Sequence, residues 1–217
     1  MLKRMTLLAR RADLTFEAFS SHWAGTHGEI VTRMPMVHGY VQNPVVRRLL
    51  DGLNPRDPFS FDGIVELWFA DADAQKTAFA SDAARELPVD ELNFIRGITI
   101  FPVTETRRDA AGYPLKVMVA ARFGEGDADA GSARLADALA ALPDMRVVAV
   151  NQLGETGWRE HLWHEPEPPQ VLIELGFADE AALDAFAGQP GLAAAHAAIV
   201  KSGGCVECYL VDPRRII

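Results

Sequence analysis

Apolar residues recur along this chain in two rhythms. A period of two marks strands at residues 5–10, 38–46, around Glu66 and at 98–104. A period of three to four marks a helix over 15–34, where Phe16, Phe19, Trp23, His27, Ile30 and Met34 fall on one stripe. Asp13, Thr15 and Glu17 supply the cap and the acids that a helix start favours, and Pro35 ends it. A second helix follows the Glu66 strand at 71–81, with Asp71 as its N-cap. The first half therefore reads β-α-β-β-α-β.

The same order returns after a short linker at 107–113. Strands are predicted at 115–123, 145–153, 171–177 and 205–211, with an Ala-rich helix at 132–142 and helical segments from 179 to 202. An internal repeat ties the halves together. Ile64-Val-Glu-Leu-Trp-Phe-Ala-Asp71 returns as Leu172-Ile-Glu-Leu-Gly-Phe-Ala-Asp179. The pattern is the split-βαβ signature, a four-stranded antiparallel sheet with both helices on one face. Alone, each half would leave an apolar sheet face in water. The expected fold class is thus α+β: two ferredoxin-like units, 1–107 and 114–217, packing sheet on sheet into an intramolecular dimeric α/β-barrel.

Composition narrows the function classes. A net charge of −9 excludes the basic face that nucleic acid demands. No apolar run approaches the roughly 18 residues of a membrane span, and the start lacks a secretory h-region, so the cytoplasm is the expected compartment. The two cysteines, Cys205 and Cys208, lie three apart in a predicted strand and so face opposite sides, which reads as two structural thiols. The glycine-rich run at 124–131 is acidic and lacks a following Lys, so it does not cradle phosphate.

Phe16, Phe19, His22-Trp23, Thr26-His27, the run from His38 to Asn43, the run from Asp62 to Phe69, and Asp90-Glu91 before Phe94 together form a pattern by which the first half resembles the EthD family of dimeric α/β-barrel proteins. The second half shares only the architecture and the Glu-Leu-x-Phe strand. Its first helix has no His or Trp, and Gly176 stands where the first half has Trp68, as in a degenerate copy that completes the barrel. The resemblance implies a small catalyst or binder of aromatic, polyketide-like or lactone compounds that needs no cofactor: a decarboxylase, cyclase, isomerase or cofactor-free oxygenase.

Candidate chemistry gathers on three elements. His27 sits on the apolar stripe, directed between helix and sheet, where a neutral imidazole can take a proton; a core histidine bonded to backbone is the competing reading. His22, five residues away, lies roughly 140° around a regular helix, so the two cannot share a metal on one face. On the next strand His38, Tyr40 and Gln42 alternate onto one face, either a solvent face or a polar pocket wall. Tyr40 can donate to a developing oxyanion. Glu66, beside Trp68, can orient His27 or act as an acid, yet its repetition as Glu174 points to a structural role.

The working set is thus His27, Tyr40, Glu66 and His22 for catalysis, with Trp23, His38, Gln42, Trp68 and Phe94 around a small-molecule substrate. No metal and no cofactor is called for. His161 and His164 match no zinc motif, and the proline-rich loop that carries them, 158–169, reads as a lid or a rim-packing segment. A monomer suffices for the barrel, with homodimerisation through exposed barrel edges also open.

Overall fold

A computed structural model describes residues 1–50, 53–54, 59–109, 111–124 and 128–217. Residues 51–52 and 55–58, residue 110 of the linker and residues 125–127 of the glycine-rich run lie outside the described residues. The first half comprises β1 (Leu2–Arg10), α1 (Phe16–His22), a π-helical turn (Trp23–His27), α2 (Gly28–Thr32), β2 (Val37–Arg48), β3 (Gly63–Phe69), α3 (Ala72–Ala80), α4 (Asp82–Phe94) and β4 (Ile95–Arg107). The second comprises β5 (Leu115–Arg122), α5 (Ala128–Ala140), β6 (Met145–Leu153), β7 (Val171–Phe177), α6 (Glu180–Ala187), α7 (Pro190–Lys201) and β8 (Cys205–Val211), followed by the short β9 (Arg214–Arg215). Among the described residues no helix is long and apolar enough to cross a membrane.

The repeated motif builds the same corner twice. Asp71 accepts the Ala74 N–H at 2.8 Å to start α3, and Asp179 accepts the Ala182 N–H at 2.9 Å to start α6. In each half two helices follow this cap, and the second of them in the first half, α4, was not predicted. In the first, Ser81 ends α3 and caps α4 through its hydroxyl, 3.2 Å from the Ala84 nitrogen.

Strand order is β2-β3-β1-β4 in the first half and β6-β7-β5-β8 in the second, all antiparallel. The halves meet differently from the sheet-on-sheet packing expected. β4 pairs with β6 and β2 pairs with β8, so the eight strands close into one barrel. Edge pairing satisfies backbone groups that two stacked sheets would leave open, and it still buries both apolar faces. Among the described residues, each of the eight barrel strands has a paired neighbour on both sides. Cys205 and Cys208 face opposite sides, the first into the barrel core and the second into the layer under α5 and α7.

The barrel interior holds Met5, Leu7, Ile64, Phe101, Met118 and Leu172, and at one end a buried charge cluster. The Lys3 ammonium reaches Glu66 at 2.8 Å, Glu174 at 3.0 Å and Glu105 at 2.6 Å, and donates to Asn151 at 2.8 Å. Lys116 reaches Glu66 at 2.6 Å and Glu174 at 3.1 Å. Asn43 donates to Glu66 and Asn151 to Glu174. Lys3 on β1 and Lys116 on β5, Asn43 on β2 and Asn151 on β6, Glu66 on β3 and Glu174 on β7 occupy matching places in the two halves, so the cluster follows the pseudo-twofold of the barrel. Burial by itself would raise the Glu66 carboxyl, but the Lys116 and Lys3 charges outweigh it and hold the group far below the ordinary carboxylate range.

Candidate functional site

The site is built on the opening helix of the first half, and its geometry depends on one irregularity. At Trp23–His27 the helix widens into a π turn, and the Gly28 N–H bonds back to the Trp23 carbonyl five residues earlier. That carbonyl also accepts Gln42 Nε2 at 2.7 Å, so a side chain from β2 inserts where the ladder opens. In a π turn, residues five apart share a face. His22 and His27, expected on different faces of a regular helix, both reach Asp90 of α4: His22 Nε2 lies 2.8 Å from Oδ1 and His27 Nδ1 lies 2.9 Å from Oδ2.

Asp90 is buried, which alone would raise its pKa; hydrogen bonds from His27 and His22 outweigh burial and hold it below the usual carboxylate value. An ionised carboxylate accepts hydrogens only, so the nitrogens facing it, His22 Nε2 and His27 Nδ1, carry theirs. His27 Nε2 then has no protein partner among the described residues, and the ring lines a cavity between helices and sheet. Phe94 fixes both imidazoles from one side, with ring centroids 4.9 Å from His22 and 5.0 Å from His27.

Tyr40 faces the same cavity from β2. Its hydroxyl oxygen accepts the Trp23 indole N–H at 3.0 Å and Gln42 Nε2 at 2.7 Å. Burial pushes the phenol well above its ordinary value, so the O–H hydrogen stays in place, and with both acceptor positions filled it is left to donate. Trp23 is wholly buried behind this pair rather than lining the cavity, and Gly63 makes room for it: a Cβ there would come within 2.5 Å of the indole.

The other expected residues lie elsewhere. Glu66 and Trp68 project from β3 to the barrel side, away from His27, and His38 joins them around a mouth cavity of about 460 Å³. Glu66 is committed to its two lysines, and Lys3 lies 4.9 Å from the centre of the Trp68 ring. His38 parts from Tyr40 and Gln42 because a register shift between Val37 and Gly39 breaks the strict alternation of β2. The carboxylate that orients His27 is therefore Asp90, not Glu66.

Three charged cavity residues escaped the sequence reading as site members. Arg4 of β1, Glu91 of α4 and Arg159 of the loop between β6 and β7 line the space that holds His27 and Tyr40. Arg159 Nε and Nη2 grip Glu91 at 2.8 and 3.0 Å. This loop zips onto β4, with Ile98 and Ile100 donating to the Trp163 and Gly157 carbonyls at 2.8 Å each. It lies on the rim rather than free of it, and through Arg159 the second half contributes directly to the first half's cavity. The signal available in sequence was the stripe Ala83, Ala84, Leu87, Asp90, Glu91 and Phe94, where acids occupy core positions of a helix. Among the described residues no group of three or more His, Cys, Asp or Glu is arranged to hold a metal ion, and His164 stacks on Trp158 at 4.9 Å.

Two antiparallel four-stranded units, each with its helices outside, closing one barrel define the dimeric α/β-barrel class. Two solved structures share the architecture at low identity. An anthrone oxidase-like protein superposes with a TM-score of 0.57 and 15% identity, covering 99% of this chain and 93% of its own. A protein provisionally described as a monooxygenase, from Fusobacterium nucleatum, superposes with a TM-score of 0.56 and 9% identity, covering 97% and 91%. At such identities the likeness speaks for the fold alone. No curated protein sequence matches the chain. Residues 11–97 match the model of the EthD domain.

Proposed function

We propose that this protein is an enzyme that moves a proton on a small carbonyl compound, with His27 as general base and Tyr40 as the donor that stabilises the developing oxyanion. The observation that carries this reading is the Asp90 carboxylate 2.9 Å from His27 Nδ1. It fixes the tautomer that leaves Nε2 basic, on a ring that lines the same cavity as Tyr40. His22 is a positioning residue, holding the second oxygen of Asp90. Trp23 and Gln42 set the Tyr40 hydroxyl.

The enclosed part of the cavity is small, about 40 Å³, room for the reacting end of a substrate rather than for a whole aromatic molecule. Its partly exposed lining residues are Arg4, Phe79 and Arg159, so the rest of the substrate extends past them. Isomerisation, decarboxylation, cyclisation and aldol-type cleavage all use one base and one oxyanion donor. The enzyme acts as a single chain, since the barrel closes within it.

The test is deuterium incorporation and product formation from a panel of lactones and phenolic and keto acids in D₂O, followed by NMR and mass spectrometry. The wild type exchanges or converts at least one of them. Asp90→Asn and His27→Gln slow the same reaction by about two to four orders of magnitude, and Tyr40→Phe by about two or three. Binding without exchange or turnover in the wild type would reduce the protein to a carrier of its ligand. The resemblance to an anthrone oxidase-like fold motivates one further arm. Deprotonation by the same base also opens an oxygenation, which consumes dissolved oxygen; an undiminished anaerobic rate excludes that course.

A further inference from the structure

The cavity carries a charge that the proton-transfer reading does not use. Arg4 projects from β1 toward the helices, alongside Thr6 and Leu8 in the cavity lining. Its Nε is sealed from solvent with no hydrogen-bond partner among the described residues, and its guanidinium carbon lies 4.3 Å from the centre of the Phe79 ring. The neighbouring cation, Arg159, is already paired with Glu91 in a bidentate bridge. Two guanidinium groups thus face one carboxylate, and the excess positive charge rests on Arg4. Burial first, then the Arg159 charge, lowers Arg4 to about 10, with Glu91 opposing. A half-buried cation short of counter-charge is costly, and an anionic ligand would relieve that cost.

We infer that the ligand of the His27 cavity is a monoanion bearing a carboxylate, received at the mouth by Arg4 with Arg159 beside it. The inference rests on the proposed site and specifies its substrate class. Arg4, Phe79 and Arg159 are the partly exposed members of the lining, so an incoming anion meets both guanidinium groups before the interior. A carboxylate matches the planar fork of a guanidinium and cancels one excess charge. A phosphate dianion would overshoot and face Glu91, whose side chain is 5% exposed. Deeper in, Leu8, Val31, Met34, Leu67 and Leu87 form an apolar wall leading to His27 and Tyr40. The ligand is thus charged at the entrance and apolar toward the reacting end.

The experiment compares isosteric pairs, propionate with propionamide and benzoate with benzamide, plus inorganic phosphate, at constant ionic strength. Affinity is read by calorimetry, and occupancy by the shift of the His27 imidazole signals in NMR, assigned with His27→Gln. In the wild type each carboxylate binds roughly ten- to a hundredfold more tightly than its amide and moves the His27 signals. In Arg4→Gln the preference falls to about two- or threefold, whereas the exposed-site control Arg85→Gln keeps it. Arg4→Lys retains part of it, which covers a Gln variant that folds poorly. Equal binding of amide and carboxylate, a preference that survives Arg4→Gln, or phosphate binding as tightly as benzoate would each overturn the inference. Failure here is separable from failure of the proposed reaction: amides that move the His27 signals as well as acids do leave the proton-transfer reading standing. Arg4-dependent carboxylate binding without any exchange removes the catalysis and keeps the anion site.

Discussion

Replacing Lys3 by Met tests whether the barrel-side charge cluster holds the halves together. The ammonium is 2% exposed and bridges Glu66 and Glu174, whose side chains are 2% and 7% exposed, so these two contacts are fully desolvated. The third partner, Glu105, is 21% exposed and lies 3.6 Å from Arg107, so it can re-pair and is discounted. After the substitution, Lys116 alone faces two buried carboxylates. Breaking a buried pair from one side costs about 3–5 kcal/mol. In a chain of this size that is a fall in Tm of roughly 6–20 °C.

The pH dependence follows from the sign of the shifts. Lys3 and Lys116 are raised, so their contribution is complete below the unfolded lysine value and is lost only in strong alkali. Glu66 is depressed, so its contribution is complete above the unfolded carboxylate value and fades as acid protonates it. Urea denaturation from pH 3 to 9 should show the full deficit of Lys3→Met between about pH 5 and 9. The gap should narrow toward pH 3, where the stranded carboxylates of the variant take up protons first. A deficit below about 1 kcal/mol, or one that is flat across the acid range, would refute the assignment.

The remaining expectations concern neighbouring residues. Glu66→Gln should lower stability in the same urea series yet leave the carboxylate-over-amide preference of the His27 cavity unchanged, because the two lie on opposite faces of β3. Gly63→Ala pushes a methyl to 2.5 Å from the Trp23 ring; it should cost about 1–3 kcal/mol and slow catalysis by displacing the Tyr40 hydroxyl. Gly25, in the π turn, has open space where a Cβ would go. Gly25→Ala should raise stability by about 0.5–1 kcal/mol in thermal unfolding, and a loss there would show that the turn needs its glycine.

The order of elements was legible in the chain because strand alternation, the helical stripe and the Asp71 and Asp179 caps are local signals, read within a few residues of one another. The repeat made the symmetry legible too, and the recurrence of Glu66 as Glu174 already hinted at the paired structural role that Lys3 and Lys116 give them. Closure of the two halves into one barrel was legible, but the edge pairing that achieves it was not, since it depends on which strand ends meet across long stretches of sequence. The site divided in the same way. His27, Tyr40 and Phe94 stood out by residue type in a local pattern, but the faces assigned to His22 and His38 assumed a regular helix and a regular strand. The π turn and the register shift overturn both, and each arises from contacts between β2 and its neighbours rather than from its own residues. Asp90 reaches His27 across 63 positions and Arg159 reaches Glu91 across 68. Such pairings carry no periodicity, so only the packed chain decides which carboxylate orients the base and which guanidinium stays unpaired.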